Sequence, residues 1–242
     1  MYDYNQVVAA MYEHNTLIIL CFLGNIVFAL LYFAIGVYMT LKKQIYALPF
    51  IGAALFFWHD LTFVLNYELW FKTYKHWWFQ LTWFALIGTV LFEAYLIAQF
   101  IRFGHGELFP DMSKRNFTLL TIGATIGVGC IWFLIKGALH DDLFLIGFAL
   151  TAIWSVPFHT GILLRRRSSA GSSVAMELCV IVILLAVSVL FVTVAPETFR
   201  TLTYLAFYVV FNLWCIVNII LIKKLPDSPA YPSLAPIKGW SA

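Results

Sequence analysis

Seven apolar stretches of about 20 residues or more, joined by short polar links, leave this chain little choice of fold. A helix needs about 20 apolar residues to cross a hydrocarbon core of about 30 Å. The 242 residues are 62% hydrophobic and 11% charged, against roughly 25% charged in soluble domains. The sequence therefore predicts an all-α polytopic membrane protein, a seven-transmembrane-helix bundle. It reads as one domain over residues 1–225, with an irregular tail over 226–242 that holds four of the eight prolines.

The predicted spans are Thr16–Met39, Tyr46–Asn66, His76–Phe103, Phe117–Leu139, Leu143–Leu164, Val174–Ala195 and Arg200–Ile222. Loops are expected at Tyr67–Lys75, Gly104–Asn116, His140–Asp142 and Arg165–Ser173. Residues 1–15 carry no Lys or Arg and include Asp3 and Glu13, the opposite of a basic leader, so the first span is expected to be retained. Eleven Lys and Arg fall on one set of connecting segments, which includes the tail, and four on the other. That bias places the N-terminus outside or in a lumen and the C-terminus in the cytosol, in a bacterial inner membrane or an endoplasmic reticulum membrane. The basic residues read as topology signals, so no nucleic-acid partner is expected. Oligomeric state is open.

Inside the second span the chain reads Phe56-Phe57-Trp58-His59-Asp60-Leu61-Thr62-Phe63. A carboxylate at the centre of a bilayer costs about 2.5–3.5 kcal/mol on the lenient scale, so such residues face a polar interior, pair, or act. Topology sets Asp60 about 9 Å below the outer end of its helix. Asn25, Trp83, Trp132, Tyr204 and Tyr208 fall at similar depth. Tyr204, Tyr208 and Asn212 share one helix face at four-residue spacing. A deeper set contains Glu93, His159, Glu177 and Asn218.

Each of these residues has a plainer reading. Asp60 could be neutralised by one partner for packing alone, and neighbours on a helix point about 100° apart, so His59 and Asp60 need not touch. Glu93 could pair with His159 or Arg102 as a lock. Glu177 suits the positive N-terminal end of its helix. Lys136 suits a side chain reaching for the interface. Trp70, Trp77 and Trp78 suit an interfacial belt. Trp58, Trp83, Trp132 and Trp154 suit a core, or the walls of a pocket for an apolar ligand or a carbocation.

The chain lacks GxSxG, Walker A, HExxH and GxGxxG patterns. Its six His never fall three or four apart, so no metal or haem site on one helix and no metal or other cofactor is expected. The last span has no Lys for a retinal Schiff base. Cys21, Cys130, Cys179 and Cys215 lie in apolar runs and read as small core residues.

Three groups of residues carry a likeness to a known family: Trp58-His59-Asp60 on the second helix; Trp77, Phe103 and Gly104 bounding the third; and Ser155, Phe158, Leu163-Leu164-Arg165 and Gly171-Ser172 at the fifth-to-sixth junction. With these the chain resembles the integral-membrane terpene cyclases of meroterpenoid pathways, small seven-helix proteins. The resemblance implies an enzyme of the lyase or isomerase class that protonates an epoxide or olefin on an isoprenoid and lets the cation cyclise. The family pattern sets an acid directly after the Trp, where this chain has His59. It sets a second on the last helix, where this chain has Tyr204, Tyr208, Asn212 and Asn218. Asp60 is the position that maps.

The sequence-level expectation is a membrane enzyme acting by acid chemistry on an isoprenoid or lipid substrate. Asp60, His59 and Glu93 are the catalytic candidates. Trp58, Asn25, Trp83, Trp132, Trp154, Tyr204, Tyr208 and Asn212 are the candidates for substrate contact. Two other classes stay open: a proton-coupled carrier or channel using Asp60, Glu93 and His159, and a non-catalytic lipid-binding or sensor subunit.

Overall fold

The computed structural model describes residues 2–227, so residues 228–242 of the expected irregular tail lie outside the described residues. Its helices in chain order are α1 (Tyr4–Glu13), α2 (Asn15–Lys43), α3 (Phe50–Leu65), α4 (Trp77–Leu108), α5 (Lys114–Leu139), α6 (Leu145–Arg166), α7 (Val174–Val194), α8 (Pro196–Phe199) and α9 (Leu202–Lys224). Six of them, α2, α4, α5, α6, α7 and α9, are long and apolar enough to cross a membrane. Large aliphatic side chains on their outer faces stay exposed, Leu91 at 68% and Leu134 at 73% among them. Exposure on this scale is what lipid, and not water, tolerates.

The remaining apolar helix, α3, is shorter than the span expected from Tyr46. Pro49 precedes its first residue, and proline lacks the N–H a helix interior requires. Its 16 residues rise about 24 Å. The expected loop after it is largely helical instead: Leu69–Tyr74 forms a π-helical turn. Trp70 explains this. Its ring is fully buried, stacks on Phe63 at 4.1 Å and donates its N–H to the Phe63 carbonyl at 2.7 Å. Trp70 is therefore a core residue and not an interfacial anchor.

Further differences have equally local causes. α1 was not foreseen. It is capped by Asp3, which accepts from the Gln6 N–H at 3.0 Å, and Tyr4 stacks on Tyr74 at 4.0 Å. Tyr2 donates to Asp141, whose second oxygen accepts from the Gly147 N–H at 2.5 Å. Burial, with the Asp141 charge behind it, pushes the Tyr2 phenol well above its ordinary range. Lys136 sits 4.1 Å over the Phe144 ring at the same end. These contacts close the amino-terminal end of the bundle.

At the opposite end α4 continues five residues past the expected stop at Phe103, which brings Glu107 to the arginines. Arg166 is 2% exposed. Its Nε and Nη2 both donate to Glu107 at 2.9 Å, and it also donates to the carbonyls of Tyr46 (2.9 Å) and Ala170 (3.1 Å). Arg165 joins Glu107 and the Tyr46 hydroxyl. Burial and the Glu107 charge push the Tyr46 phenol up to about 12.

α3 packs against α4, α5 and α6, while α7 packs against α2, α6 and α9, and α2 meets α4. The inner group is therefore α2, α3, α4, α6 and α7. The α3–α5 contact is close because Gly129 has no side chain. A Cβ there would come within 2.5–2.8 Å of the Trp58 ring. Gly129→Ala should cost about 1–3 kcal/mol by overpacking, read as a lower unfolding temperature in detergent.

Candidate active site

A cavity of about 90 Å³ lies among the five inner helices. Its walls are mainly apolar, and its polar groups gather on one side. α3 supplies His59 and Asp60, and α4 supplies Thr89 and Glu93. His59 and Asp60 touch after all: Nδ1 and Oδ1 lie 2.6 Å apart. The Thr89 hydroxyl donates to the other Asp60 oxygen. The second ring nitrogen of His59 has no hydrogen-bond partner among the described residues. It is enclosed by the edges of Trp132, Phe144 and Phe148, with ring centroids 5.0, 5.7 and 5.5 Å away.

Glu93 differs in kind. It neighbours Asp60 on the cavity wall and is 0% exposed. Its carboxyl group faces that of Asp60, and no other residue among those described offers it a hydrogen bond. It does not pair with His159 or Arg102, the partners the sequence offered. His159 bonds Glu177 through Nδ1 and the Ser172 hydroxyl through Nε2 at 2.7 Å, and Arg102 lies 5.0 Å over the Phe103 ring.

The expected substrate-contact residues separate into two groups. Asn25 lines the cavity. The indoles do not. Trp58 donates to the Thr125 carbonyl at 2.7 Å and Trp83 to the Val64 carbonyl at 2.8 Å. Trp132 donates to the Thr62 hydroxyl at 3.0 Å, which sets it behind His59, and Trp154 stacks with Phe158. Tyr204 and Tyr208 share a hydroxyl–hydroxyl bond of 2.6 Å on α9, and Asn212 donates to the Tyr208 carbonyl. The cavity is not lined by α9. An indole N–H needs an acceptor once buried, and helix–helix contacts supply one. The aromatic walls are instead Tyr32, Phe33, Phe56 and Phe148, of which three carry no polar atom. Sequence reasoning missed these and Thr89. The available signal was spacing: Thr89 precedes Glu93 by four residues and so shares its face.

A second buried cluster is separate from the cavity. Glu177, in the first turn of α7, accepts from His159 and, at 3.3 Å, from Asn218. Asn218 accepts in turn from Thr160 at 2.5 Å. The cluster ties α6, α7 and α9 together. His159→Ala should lower stability by about 3–5 kcal/mol, because it strips a partner from a buried carboxyl group; thermal unfolding reads this directly. Among the described residues no group of three or more His, Cys, Asp or Glu is placed to hold a metal ion.

Comparison with family models, with curated proteins and with solved structures finds no match to this chain.

Proposed function

We propose that the protein is an integral-membrane enzyme that starts a cyclisation or isomerisation of an isoprenoid or related lipid by protonating it in this cavity. The observation that carries the reading is the pair of facing carboxyl groups, Asp60 and Glu93, on the wall of one buried apolar cavity. Two carboxyl groups that share a buried site cannot both carry charge cheaply. A neutral acid in a water-poor site is a proton donor in waiting.

The step balances without an added reagent. The carboxyl proton moves to an epoxide oxygen as the C–O bond breaks, or to an olefin carbon as the π bond opens. A neighbouring double bond supplies the electron pair that closes a ring. The final cation loses a proton to the His59–Asp60 pair, so the product is an isomer of the substrate. Phe33, Phe56 and Phe148 can face a passing cation without attacking it, as aromatic faces do.

In this reading the chain crosses the membrane seven times, with α3 as the short seventh crossing held inside the bundle. The excess of Lys and Arg on one set of links sets the N-terminus outside and the C-terminus in the cytosol. Membranes carrying Asp60→Asn, supplied with terminal epoxides of farnesol and geranylgeraniol, test the proposal. Loss of cyclic isomers is expected; undiminished turnover would overturn the role of the pair.

A further inference from the structure

The cavity at Glu93 is one segment of a longer seam. Two smaller voids, of about 20 and 30 Å³, lie towards the amino-terminal end. Asn25, Leu86 and Phe148 line all three voids, so the voids adjoin at these side chains. One stripe of α4 runs the whole way: Trp78, Thr82, Leu86, Thr89 and Glu93. Their spacing keeps them on one helix face. From Trp78 to Glu93 the helix rises about 22 Å.

The far end of this stripe holds unpartnered polar atoms. Trp78 and Thr82 are 8% and 7% exposed, and both line the two smaller voids. The Trp78 indole nitrogen and the Thr82 hydroxyl oxygen have no hydrogen-bond partner among the described residues. Trp78 is thus no interfacial anchor. An indole N–H can only donate, and a hydroxyl can donate or accept. Buried donors left open in this way match a ligand that brings an acceptor.

We propose that the seam binds a linear prenyl chain whose polar head accepts hydrogen bonds from Trp78 and Thr82, while its distal end reaches Asp60 and Glu93. This rests on the acid-chemistry reading for what happens at the distal end, but the head subsite stands on its own geometry. The chemistry of the head is an oxygen acceptor: a hydroxyl, a carbonyl or an ether. Leu86 and Phe148 are the side chains that must turn aside when the chain lies in place.

Photolabelling of the purified full-length protein tests the orientation. One probe is farnesol with a diazirine at its distal end; the other is a farnesyl ester with the diazirine on the head. The distal probe should label residues 56–60 or 89–93, and the head probe residues 22–26 or 78–85. Thr82→Val keeps shape and removes one donor; Trp78→Phe removes the indole N–H and also shortens the ring, so Thr82→Val is the cleaner of the two. Each should weaken binding of the farnesyl ester about fivefold, and Thr82→Val should leave binding of farnesene, which has no head, unchanged. A reversed labelling pattern, label scattered over the outer faces, or ester affinity unchanged in the variants would overturn the proposal. Labelling in the expected pattern without turnover of any epoxide would remove the acid chemistry and leave the seam. Turnover with reversed labels would do the opposite.

Discussion

Glu93→Gln should lower turnover of a prenyl epoxide by about 10²–10⁴-fold, the range contributed by a positioned general acid. Glu93→Met should abolish turnover as well, yet unfold at a higher temperature than the parent. The Glu93 side chain is 0% exposed, and the group it faces is a second carboxyl, that of Asp60. A buried polar group whose hydrogen-bonding capacity is poorly met costs about 1–3 kcal/mol, and Met fills a similar volume without that cost. A carboxyl group kept against stability is the mark of a working residue. If Glu93→Met instead destabilises the protein by several kcal/mol, Glu93 is a structural partner and the reading of the cavity fails. Asp60→Asn separates the two acids, since its carboxyl group is held by His59 and Thr89. Loss of turnover with a cost in stability is expected there.

Arg166→Met carries the largest expected effect on folding. It removes five interactions of one buried guanidinium: the two bonds to Glu107, those to the Tyr46 and Ala170 carbonyls, and the face of the Tyr46 ring 4.4 Å away. Breaking a buried ion pair by removing one partner costs about 3–5 kcal/mol. Arg166→Lys should not restore it, because an ammonium cannot make the forked pair with Glu107. Arg165, at 36% side-chain exposure, is the internal comparison; Arg165→Met should cost about 1 kcal/mol or less. Equal losses at the two positions, read by thermal unfolding, would remove Arg166 as the clamp of the arginine end.

Helix existence was legible in this chain because apolar runs of span length have few alternatives, and the limits of α5 and α7 were close to those expected. Contacts were less legible, for a physical reason. A helix with apolar residues on every face, such as α7, carries no stripe to say which face turns inward. Arg166 therefore looked like one of three topology charges, although it is the buried one. The expected start at Tyr46 overlooked Pro49, which sets the start of α3 at Phe50, and the aromatic turn around Trp70 was not legible, since a run of polar and aromatic residues fits a loop equally well. The acids Asp60 and Glu93 stood out because hydrocarbon makes charge conspicuous. The cavity walls did not, because a Phe facing a void and a Phe facing lipid leave the same trace in a sequence. The Trp residues misled for the opposite reason: their N–H groups drew them to helix contacts.

The central claim is that this cavity donates a proton to a lipid and takes one back. Its most direct measurement is product analysis after purified protein, in bilayers, is given the terminal epoxide of farnesol. The account predicts a cyclic product of unchanged mass, formed by the parent protein and lost in Glu93→Gln. Epoxide recovered unchanged, together with proton flux through liposomes that Glu93→Gln abolishes, would contradict it and make the cavity part of a proton path.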